Sequence, residues 1–496
     1  MAGTSGEPQL SGDPVRQIKP EATAAIDDDA GPAISHRPGL LLTTLLGGNF
    51  LGNIDIAVVN VATPSIHANL HASAAALQLI ISGYTLVYAV LLIIAARLGD
   101  LHGYRSMFRI GLGIFTSASL TCGLAPEATV LILARLLQGA GAAMMISQVL
   151  TGIQLNFAGR ARARALGAYS AVLAGSAVVG QILGGVLVQA NLFGASWRPI
   201  FLINVPLGLL LLASAGRYLP PTRPRGRVGL DIPGVAALTL ALFLVAVPLI
   251  LGRPTGWPVW IMVALLASLP ALGLFVAIER RQHAHHGYPL IDLGLLARPP
   301  IAWGLSAAAL GTAAYYALLF VLAQYLQQGL NNSPTYSGLA LIPWVAAFGV
   351  GGLTLGRLSE RAQKLAAPLG GLALAVVYAA ISASITAGAT AGTTLIILLA
   401  LGGLSWGFTF TAIIGYLTGA VTSQHASDMS GLINTTLQLG GAIGVAALGT
   451  LYFALVGRDP GRSLAVHGFA VFTLAIAATV LAAAVAALLS IRPVVS

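Results

Sequence analysis

Charged residues are scarce in this sequence. Asp, Glu, Lys and Arg make up 8% of its 496 residues, whereas 57% are hydrophobic and the mean hydropathy is +0.86. This excludes a soluble globular protein, in which about 25% of the residues are normally charged. Apolar runs of roughly 20 residues, the length that crosses a bilayer, recur along nearly the whole chain. The composition therefore predicts an all-α integral membrane protein.

Several chemical features are also missing. The single cysteine, Cys122, excludes a disulfide framework and a cysteine metal site. No G-x-x-x-x-G-K-S/T loop is present, which disfavours ATP hydrolysis, and no Ser/His/Asp arrangement or metal-ligand spacing supports an enzyme. His283, His285 and His286 are interpreted as part of a solvated loop, because no partner ligands accompany them. We therefore expect neither a metal nor a cofactor.

Residues 1–38 are polar and lack the apolar core of a signal peptide, so they are predicted to form a disordered cytoplasmic tail. The net charge of +10 is not gathered on one face or tail. The basic residues lie between the apolar runs instead, which is typical of membrane proteins rather than of nucleic-acid-binding ones.

Fourteen apolar runs are predicted to be transmembrane helices. They lie at residues 40–66, 77–97, 107–125, 129–152, 163–190, 199–218, 233–251, 259–278, 302–326, 335–356, 366–386, 393–420, 431–456 and 466–490. Of the 25 Lys and Arg residues, 20 fall in the two tails and one set of alternate loops, 4 in the other loops, and one, Arg135, within a span. Because basic loops face the cytoplasm, both termini are predicted to be cytoplasmic, in a multi-pass protein of the plasma or inner membrane.

Asp55 is a carboxylate deep within the first predicted span. A charge inside the bilayer is costly unless it faces a cavity or a partner, so such a residue is functional by default. Arg135 also needs a partner, because its guanidinium stays charged. At 1.5 Å per residue, Asp55 lies about 16 Å along its helix from Ile66, and Arg135 about 9 to 12 Å from the outer end of its span.

These depths suggest a direct or water-bridged pair of Asp55 and Arg135. Two alternatives remain: a structural Asp that never titrates, and an Arg that is bonded only to backbone carbonyls.

The run D-I-A-V-V-N-V-A-T-P, which begins at Asp55, resembles the first-helix signature of drug:proton antiporters in the major facilitator superfamily, L-D-x-T-I-V-N-V-A-L-P. Ala57 stands in place of the Thr of that pattern. The run L-I-L-A-R-L-L-Q-G-A-G-A-A at residues 131–143 is similar to the fourth-helix pattern of the superfamily. The resemblance implies that Asp55 and Arg135 couple transport to protons.

The loop A-R-L-G-D-L-H-G-Y-R at residues 96–105 is similar to the superfamily pattern G-x-L-A-D-R-x-G-R-K. The resemblance implies a charge latch that holds one conformation, and its alternative is a solvated loop with an incidental Asp. The run G-R-L-S-E-R-A-Q-K at residues 356–364 repeats this loop weakly in the second half. The residues assigned to the latch are Asp100, Gly103, Arg105, Glu360 and Arg361.

The fifth predicted span contains G-S-A-V-V-G-Q-I-L-G-G at residues 175–185, which resembles the antiporter motif G-P-x-x-G-G. The candidate residues of this motif are Gly180, Gln181, Gly184 and Gly185. Gln181 replaces the expected Pro, which removes a kink and places an amide at about the depth of Asp55. The glycines allow close helix approach, although such spacing is also compatible with packing alone.

Three further runs are similar to the fourteen-span branch of this family. They are W-R-P-I-F-L-I-N-V-P-L-G at 197–208, Y-L-Q-Q-G-L-N-N-S-P-T-Y-S-G at 325–338 and S-G-L-I-N-T-T-L-Q-L-G-G-A-I-G at 430–444. The major facilitator fold implied has two six-helix bundles, at 39–218 and 301–490. A basic linker, two inserted helices and a cytoplasmic loop occupy 219–300, and residues 491–496 form a tail.

The resemblance implies export of hydrophobic or cationic drug-like compounds by alternating access, driven by the proton gradient. We expect a functional monomer whose partners are membrane lipids and a small amphipathic substrate. A cavity for such cargo should be apolar and aromatic with few polar anchors. The candidates chosen for it are Asn60, Tyr84, Tyr88, Gln148, Tyr325, Gln327, Trp406, Asn434 and Gln438.

Two other functions remain open. The first is a carrier of a lipid, an endogenous metabolite or another organic solute, with or without proton coupling. The second is a non-transporting membrane receptor or scaffold of the same fold.

Overall fold

The computed structural model describes residues 1–3, 37–221, 231–284, 293–422, 425–457 and 461–491. The first part contains α1 (Pro38–Leu70), α2 (Ala74–His102), α3 (Tyr104–Gly123), α4 (Ala128–Asn156), α5 (Gly159–Ala190), α6 (Pro199–Leu202) and α7 (Asn204–Tyr218). Then follow α8 (Ile232–Thr255), α9 (Val259–Ala284) and the short α10 (Leu293–Ala297). The last part contains α11 (Pro299–Gln324), α12 (Pro334–Leu355), α13 (Glu360–Thr386), α14 (Thr393–Gly419), α15 (Ala426–Val456) and α16 (Arg462–Ser490).

A helix is present at each of the fourteen predicted spans, and the described residues contain no strand, so the all-α membrane fold is confirmed. In the described part of the chain, 13 helices are long and apolar enough to cross a membrane. The helix α3 is not among them, because Arg105, Arg109 and several hydroxyl side chains lower its hydropathy. Most of the predicted tail, the Arg-rich part of the linker, His285 and His286 lie outside the described residues.

Most helices extend beyond the predicted apolar runs. The helix α13, for example, begins at Glu360 rather than at residue 366, and the Oγ atom of Ser359 accepts a hydrogen bond from the N–H of Ala362 at 3.3 Å. This is a side-chain N-cap, which stabilises the first turn. The apolar pattern marks the bilayer-sized stretch, whereas helical hydrogen bonding continues into the polar ends.

The predicted span at 199–218 is interrupted. The chain forms α6 and α7, with Ile203 between them. Pro206 in the first turn of α7 has no N–H to donate to the carbonyl one turn earlier, which favours a break at this point. The interruption places Asn204 at the start of α7, where its side chain is buried.

The two halves of the helix bundle repeat the same packing. In the first half α1 packs against α5, α2 against α4, and α3 against α7. The corresponding pairs in the second half are α11 with α15, α12 with α14, and α13 with α16. The weak sequence repeat therefore corresponds to a repeat of structure. The inserted helices α8 and α9 pack against each other, and α8 also contacts α2 and α15.

The halves meet through two equivalent helix pairs, α2 with α15 and α5 with α12. A Cβ atom added to Gly167 would lie 2.3 Å from the carbonyl oxygen of Gly352, so the backbones of α5 and α12 almost touch. Nearby, the hydroxyls of Ser170 and Thr411 are 2.7 Å apart. These contacts lie toward the end of the bundle where α1 begins and α16 ends, hereafter the termini end. The halves are thus closed against each other at the termini end.

Candidate functional site

Asp55 on α1 and Arg135 on α4 form a buried ion pair between Oδ2 and Nη1. Asp55 is 2% exposed and Arg135 is fully buried. The Nε atom of Arg135 also donates to the carbonyl oxygen of Ile80 at 3.0 Å, which fixes the guanidinium against α2. Arg135 therefore bonds to a carboxylate as well as to a backbone carbonyl, so it is not bonded to backbone carbonyls alone.

Neutral polar side chains complete the coordination of this pair. Gln138 Nε2 and Asn204 Nδ2 each donate to Asp55 Oδ1 at 3.0 Å. Gln138 also accepts from Arg135 Nη1 at 2.7 Å and donates to the hydroxyl of Ser119 at 2.6 Å. The carboxylate consequently accepts hydrogen bonds from three residues on α4 and α7, and these donors stabilise a charge that is otherwise costly inside a membrane.

Aromatic rings close the site around Arg135. Its guanidinium carbon lies 4.4 Å from the ring centroid of Tyr84 and 5.7 Å from that of Phe201. The hydroxyl of Tyr84 donates to the carbonyl oxygen of Gly52 on α1 at 2.7 Å. Tyr84 was assigned to the substrate cavity from sequence, but the structure places it against the ion pair, where the ring face favours the cation.

The glycine motif of α5 packs beside this site. A Cβ atom on Gly180 would lie 2.8 Å from the carbonyl oxygen of Ile54 and 2.7 Å from Cβ of Ala57, so this glycine lets α5 approach α1 next to Asp55. Gly184 is also buried, whereas a Cβ atom on Gly185 would meet open space. The side chain of Gln181 lies outside the described part of the structure.

A separate small cavity lies between the two halves. Its polar lining residues are Asn49, Asn53, Thr312, Asn434 and Gln438. Its aromatic lining residues are Tyr88, Tyr169, Tyr315, Tyr316, Phe348, Trp406 and Phe410. None of the described residues that line it is charged. An apolar, aromatic cavity with a few polar groups is typical of a site for an organic molecule.

Four of the nine residues assigned to the cavity from sequence line it: Tyr88, Trp406, Asn434 and Gln438. The others that the structure describes have different surroundings. Gln148 donates to the carbonyl oxygen of Ala95 at 2.9 Å and so links α4 to α2.

Two more of these residues lie at the far end of α11, away from the cavity. Tyr325 stacks on Phe469 with the ring centroids 4.1 Å apart and donates to the carbonyl oxygen of Thr390 at 2.7 Å. Gln327 belongs to the π turn Tyr325–Gly329 that follows α11. The side chain of Asn60 is outside the described part. The cavity candidates were predicted because they are polar or aromatic residues within spans. Residue type alone does not indicate which face of a helix they occupy.

Sequence reasoning did not select several residues that the structure places at these sites. Asn49 and Asn53 lie one helical turn apart and share a cavity face of α1, which polar spacing could have revealed. Gln138 and Asn204 lie within runs that resemble the family signatures, but only the structure shows that both contact Asp55. Ser119 is a small hydroxyl in an apolar span, and no sequence signal distinguishes it.

One latch residue of the first half, Asp100, takes part in an ion-pair network at the termini end. Arg97 Nη1 lies 3.6 Å from Asp100 Oδ2 and 3.8 Å from Asp428 Oδ1, so it connects α2 with α15 of the other half. Arg105 donates from Nη2 to the carbonyl oxygen of Gly216 on α7. Gly103, with φ of 84°, forms the turn between α2 and α3, a conformation that a glycine adopts readily.

The corresponding residues of the second half are placed differently. Glu360 and Arg361 are exposed at the start of α13, and neither has an ion pair within the described ranges. The two loops of the repeat are therefore unequal, because among the described residues only the first-half loop contributes an ion pair between the halves. Across the same described ranges, no group of three or more His, Cys, Asp or Glu side chains is placed to hold a metal ion.

Two matching halves around a cavity, with a buried acid and base in the first half, are the architecture of a membrane transporter. The sequence model of the Major Facilitator Superfamily matches residues 45–445. The chain belongs to the Major Facilitator Superfamily: it is a multi-pass membrane transporter, not an enzyme.

The relatives of the chain are antibiotic exporters and multidrug resistance proteins. It is 37% identical to the probable actinorhodin transporter of Streptomyces coelicolor over 462 residues, which is 92% of this chain and 80% of that protein. It is 36% identical to the cephamycin export protein CmcT of Amycolatopsis lactamdurans over 86% of this chain and 89% of that protein. The crystal structure of the human organic anion transporter MFSD10 (TETRAN) shares the fold, with a TM-score of 0.61 and 13% identity over 89% of this chain and 99% of that one.

Proposed function

We propose that this transporter exports an amphipathic organic compound across the cell membrane in exchange for protons. The observation that carries this proposal is the buried pair of Asp55 and Arg135. The negative charge of Asp55 is balanced by Arg135 inside the protein. Binding of one proton neutralises the carboxylate and leaves the charge of Arg135 without its counterion. Ionisable residues at membrane depth commonly serve as proton carriers for this reason.

The geometry suggests how protonation acts on the rest of the molecule. When Asp55 is charged, it ties α1 to α4 through Arg135 and Gln138, and to α7 through Asn204. When it is neutral, these hydrogen bonds lose their charged acceptor and weaken, since charge-assisted bonds are about twice as strong as neutral ones. The helix α1 is then free to move relative to the other two helices.

The same helix also forms part of the cavity wall. Asn49 and Asn53 of α1 face the cavity from the first half, opposite Thr312, Asn434 and Gln438 of the second. A displacement of α1 therefore alters the cargo site directly. This supports coupling between proton binding and the affinity for cargo, as alternating access requires.

The names of the relatives support the direction and the class of cargo. They include an antibiotic export protein, a probable transporter of actinorhodin and a multidrug resistance protein. The aromatic lining of the cavity suits organic compounds of this general kind. We infer that the present chain likewise moves an organic compound outward.

The orientation is part of the same proposal. The loops at the termini end carry most of the Lys and Arg residues, so we place this end in the cytoplasm. The conformation described here would then be closed toward the cytoplasm, with Arg97 and Asp428 among the contacts that hold it. Cargo would enter from the cytoplasm only after these contacts separate.

The test is uptake into inverted membrane vesicles with an acid interior, using 9,10-anthraquinone, ethidium and a fluorescent lipid analogue as alternative cargo. Asp55→Asn should abolish uptake driven by the pH gradient. Glu127→Gln provides a matched control, because it makes the same change at an exposed position just before α4. Wild-type uptake should also stop when an ionophore collapses the gradient.

Transport that persists without a gradient in the wild type would overturn the proton coupling and favour a different solute carrier. The absence of any cargo-dependent transport in folded protein would favour a receptor or scaffold. Both outcomes depend on the wild-type protein alone, so they remain decisive if Asp55→Asn fails to fold.

A further inference from the structure

Two buried polar groups, one in each half, belong to residues that line the central cavity. Asn49 on α1 is fully buried and Thr312 on α11 is 3% exposed. Asn49 Oδ1 accepts from Asn53 Nδ2 at 3.2 Å, but Asn49 Nδ2 and Thr312 Oγ1 have no hydrogen-bond partner among the described protein atoms. A buried polar group without a hydrogen-bond partner is unfavourable, so a molecule that supplies acceptors here gains affinity.

The rest of the lining decides between a charged and an uncharged molecule. No described lining residue is acidic or basic, and Asp55 is occupied by Arg135 on the other side of α1. Aromatic faces attract a cation. Removing a charge from water without a counterion costs considerably more free energy than this attraction supplies. The balance favours an uncharged molecule.

The aromatic side chains indicate the shape of this molecule. The rings of Phe348, Trp406 and Phe410 contact one another along one wall, with centroids 5.5 to 6.5 Å apart. Tyr88 and Tyr169 line the cavity from the first half. Aromatic side chains favour another aromatic ring, either stacked with an offset or packed edge to face.

Building on the proposed export function, we propose that the cavity recognises an uncharged, planar aromatic compound that carries carbonyl groups. Asn49 Nδ2 and Thr312 Oγ1 donate hydrogen bonds to the carbonyl oxygens, and the aromatic side chains cover the ring faces. Carbonyls are favoured because the amide N–H of Asn49 can only donate and the hydroxyl of Thr312 can donate as well as accept, so carbonyl oxygens satisfy both groups. Asn49 and Thr312 are thus specificity-determining residues contributed by the two halves.

Equilibrium binding to the purified full-length protein in detergent micelles, without a pH gradient, tests this proposal. The probes are 9,10-anthraquinone, anthracene, which has the same rings without carbonyls, and ethidium, a planar cation; binding is corrected for protein-free micelles. We expect anthraquinone to bind at least tenfold more tightly than the other two. Equal binding of anthraquinone and anthracene, or a preference for ethidium, would overturn the proposal.

Two variants test the assigned donors. Thr312→Val keeps the shape of the side chain and removes the hydroxyl, and Asn49→Leu removes the amide. Each should weaken anthraquinone binding about tenfold, the equivalent of about 1.4 kcal/mol, and leave anthracene binding unchanged. The matched control is Thr435→Val, because Thr435 is 6% exposed and its Oγ1 also lacks a partner in the described structure, but it does not line the cavity.

An equal loss in Thr312→Val and Thr435→Val would show that Thr312 does not contact the probe. Because binding is measured without a gradient, its result is independent of proton coupling. A preference for carbonyl groups without pH-driven transport would contradict only the exchange mechanism. Transport driven by the pH gradient without a preference for carbonyl groups would contradict only the assignment of this substrate class.

Discussion

Asn53 and Asp55 lie two residues apart on α1 and face different parts of the molecule. Asn53 lines the central cavity, whereas Asp55 is buried against Arg135 and Asn204. With 3.6 residues per turn, two residues are about 200° apart around a helix, so the two side chains point to nearly opposite faces. A single helix therefore connects the cargo site to the buried charge.

The first prediction concerns the energetic coupling within the ion pair. Asp55→Asn and Arg135→Gln each leave one buried charge without its counterion, which typically costs about 3–5 kcal/mol. The double variant removes both charges and should be more stable than the sum of the two single effects implies. The single cysteine, Cys122, is fully buried, so its reaction with a thiol-specific dye reports unfolding during heating.

One result of this double-mutant cycle would contradict the pairing of Asp55 with Arg135. If the two single changes add without interaction, the charges of Asp55 and Arg135 are not balanced by each other. In that case the proton-binding role proposed for Asp55 loses its structural basis.

A second prediction separates two glycines of the same motif. Gly180→Ala would bring a methyl group to 2.8 Å from the carbonyl oxygen of Ile54, and α5 would have to move away from α1. Overpacking of this kind typically costs about 1–3 kcal/mol. Gly185→Ala meets nothing within 4 Å and should leave stability and transport unchanged. Cys122 labelling on heating and uptake into vesicles measure the two effects.

If both alanine variants are inactive, or both are tolerated, the close approach of α5 to α1 is not what this motif contributes. The comparison is informative because both positions lie in one helix and undergo the same chemical change.

The fold and the ion pair could be predicted from the sequence for a physical reason. Each span must satisfy its own backbone hydrogen bonds inside the bilayer, so a long apolar run allows little except a helix. Asp55 and Arg135 are rare charges at similar depth, and each is costly alone, which makes their contact a strong expectation. The structure contains this contact.

The residues that line the cavity were harder to predict from the sequence than the fold and the ion pair. A helix that is apolar on all sides gives no periodic signal for the face that meets a cavity. Tyr84 and Tyr88 illustrate the difficulty, because they lie one turn apart on α2, yet one covers Arg135 and the other lines the cavity. Only the packing of α2 against α4 and α15 decides between these positions.

A third prediction tests the orientation of the chain. Cysteine is introduced at Arg357, exposed between α12 and α13, or at Ala387, exposed between α13 and α14, in a Cys122→Ser background. A membrane-impermeant maleimide added to intact cells should label the cysteine at position 387 and reach position 357 only after lysis. The positive-inside distribution of Arg and Lys requires this order. The opposite labelling order would place the termini outside and reverse the proposed direction of transport.

The last prediction concerns the contact of Arg97 with Asp428 between the halves. The two side chains are only 13% and 11% exposed, and a partly exposed pair of this kind contributes about 0.2–1 kcal/mol. Arg97→Gln should therefore shift the equilibrium away from the closed termini end by up to about fivefold. Spin labels at Arg160 and Leu358, which are exposed on opposite halves, would report the shift as a larger population of long distances.

Arg109→Gln is the control for this experiment, because Arg109 is exposed near the same end and has no ion pair in the part of the chain that is described. Asp428→Asn should produce the same shift as Arg97→Gln, and the double variant should add little, since either change removes the same contact. Additive shifts would show that Arg97 acts mainly through Asp100 within α2. A latch between the halves would then have to depend on the uncharged contacts alone, such as the hydrogen bond from Ser430 to the carbonyl oxygen of Ser147.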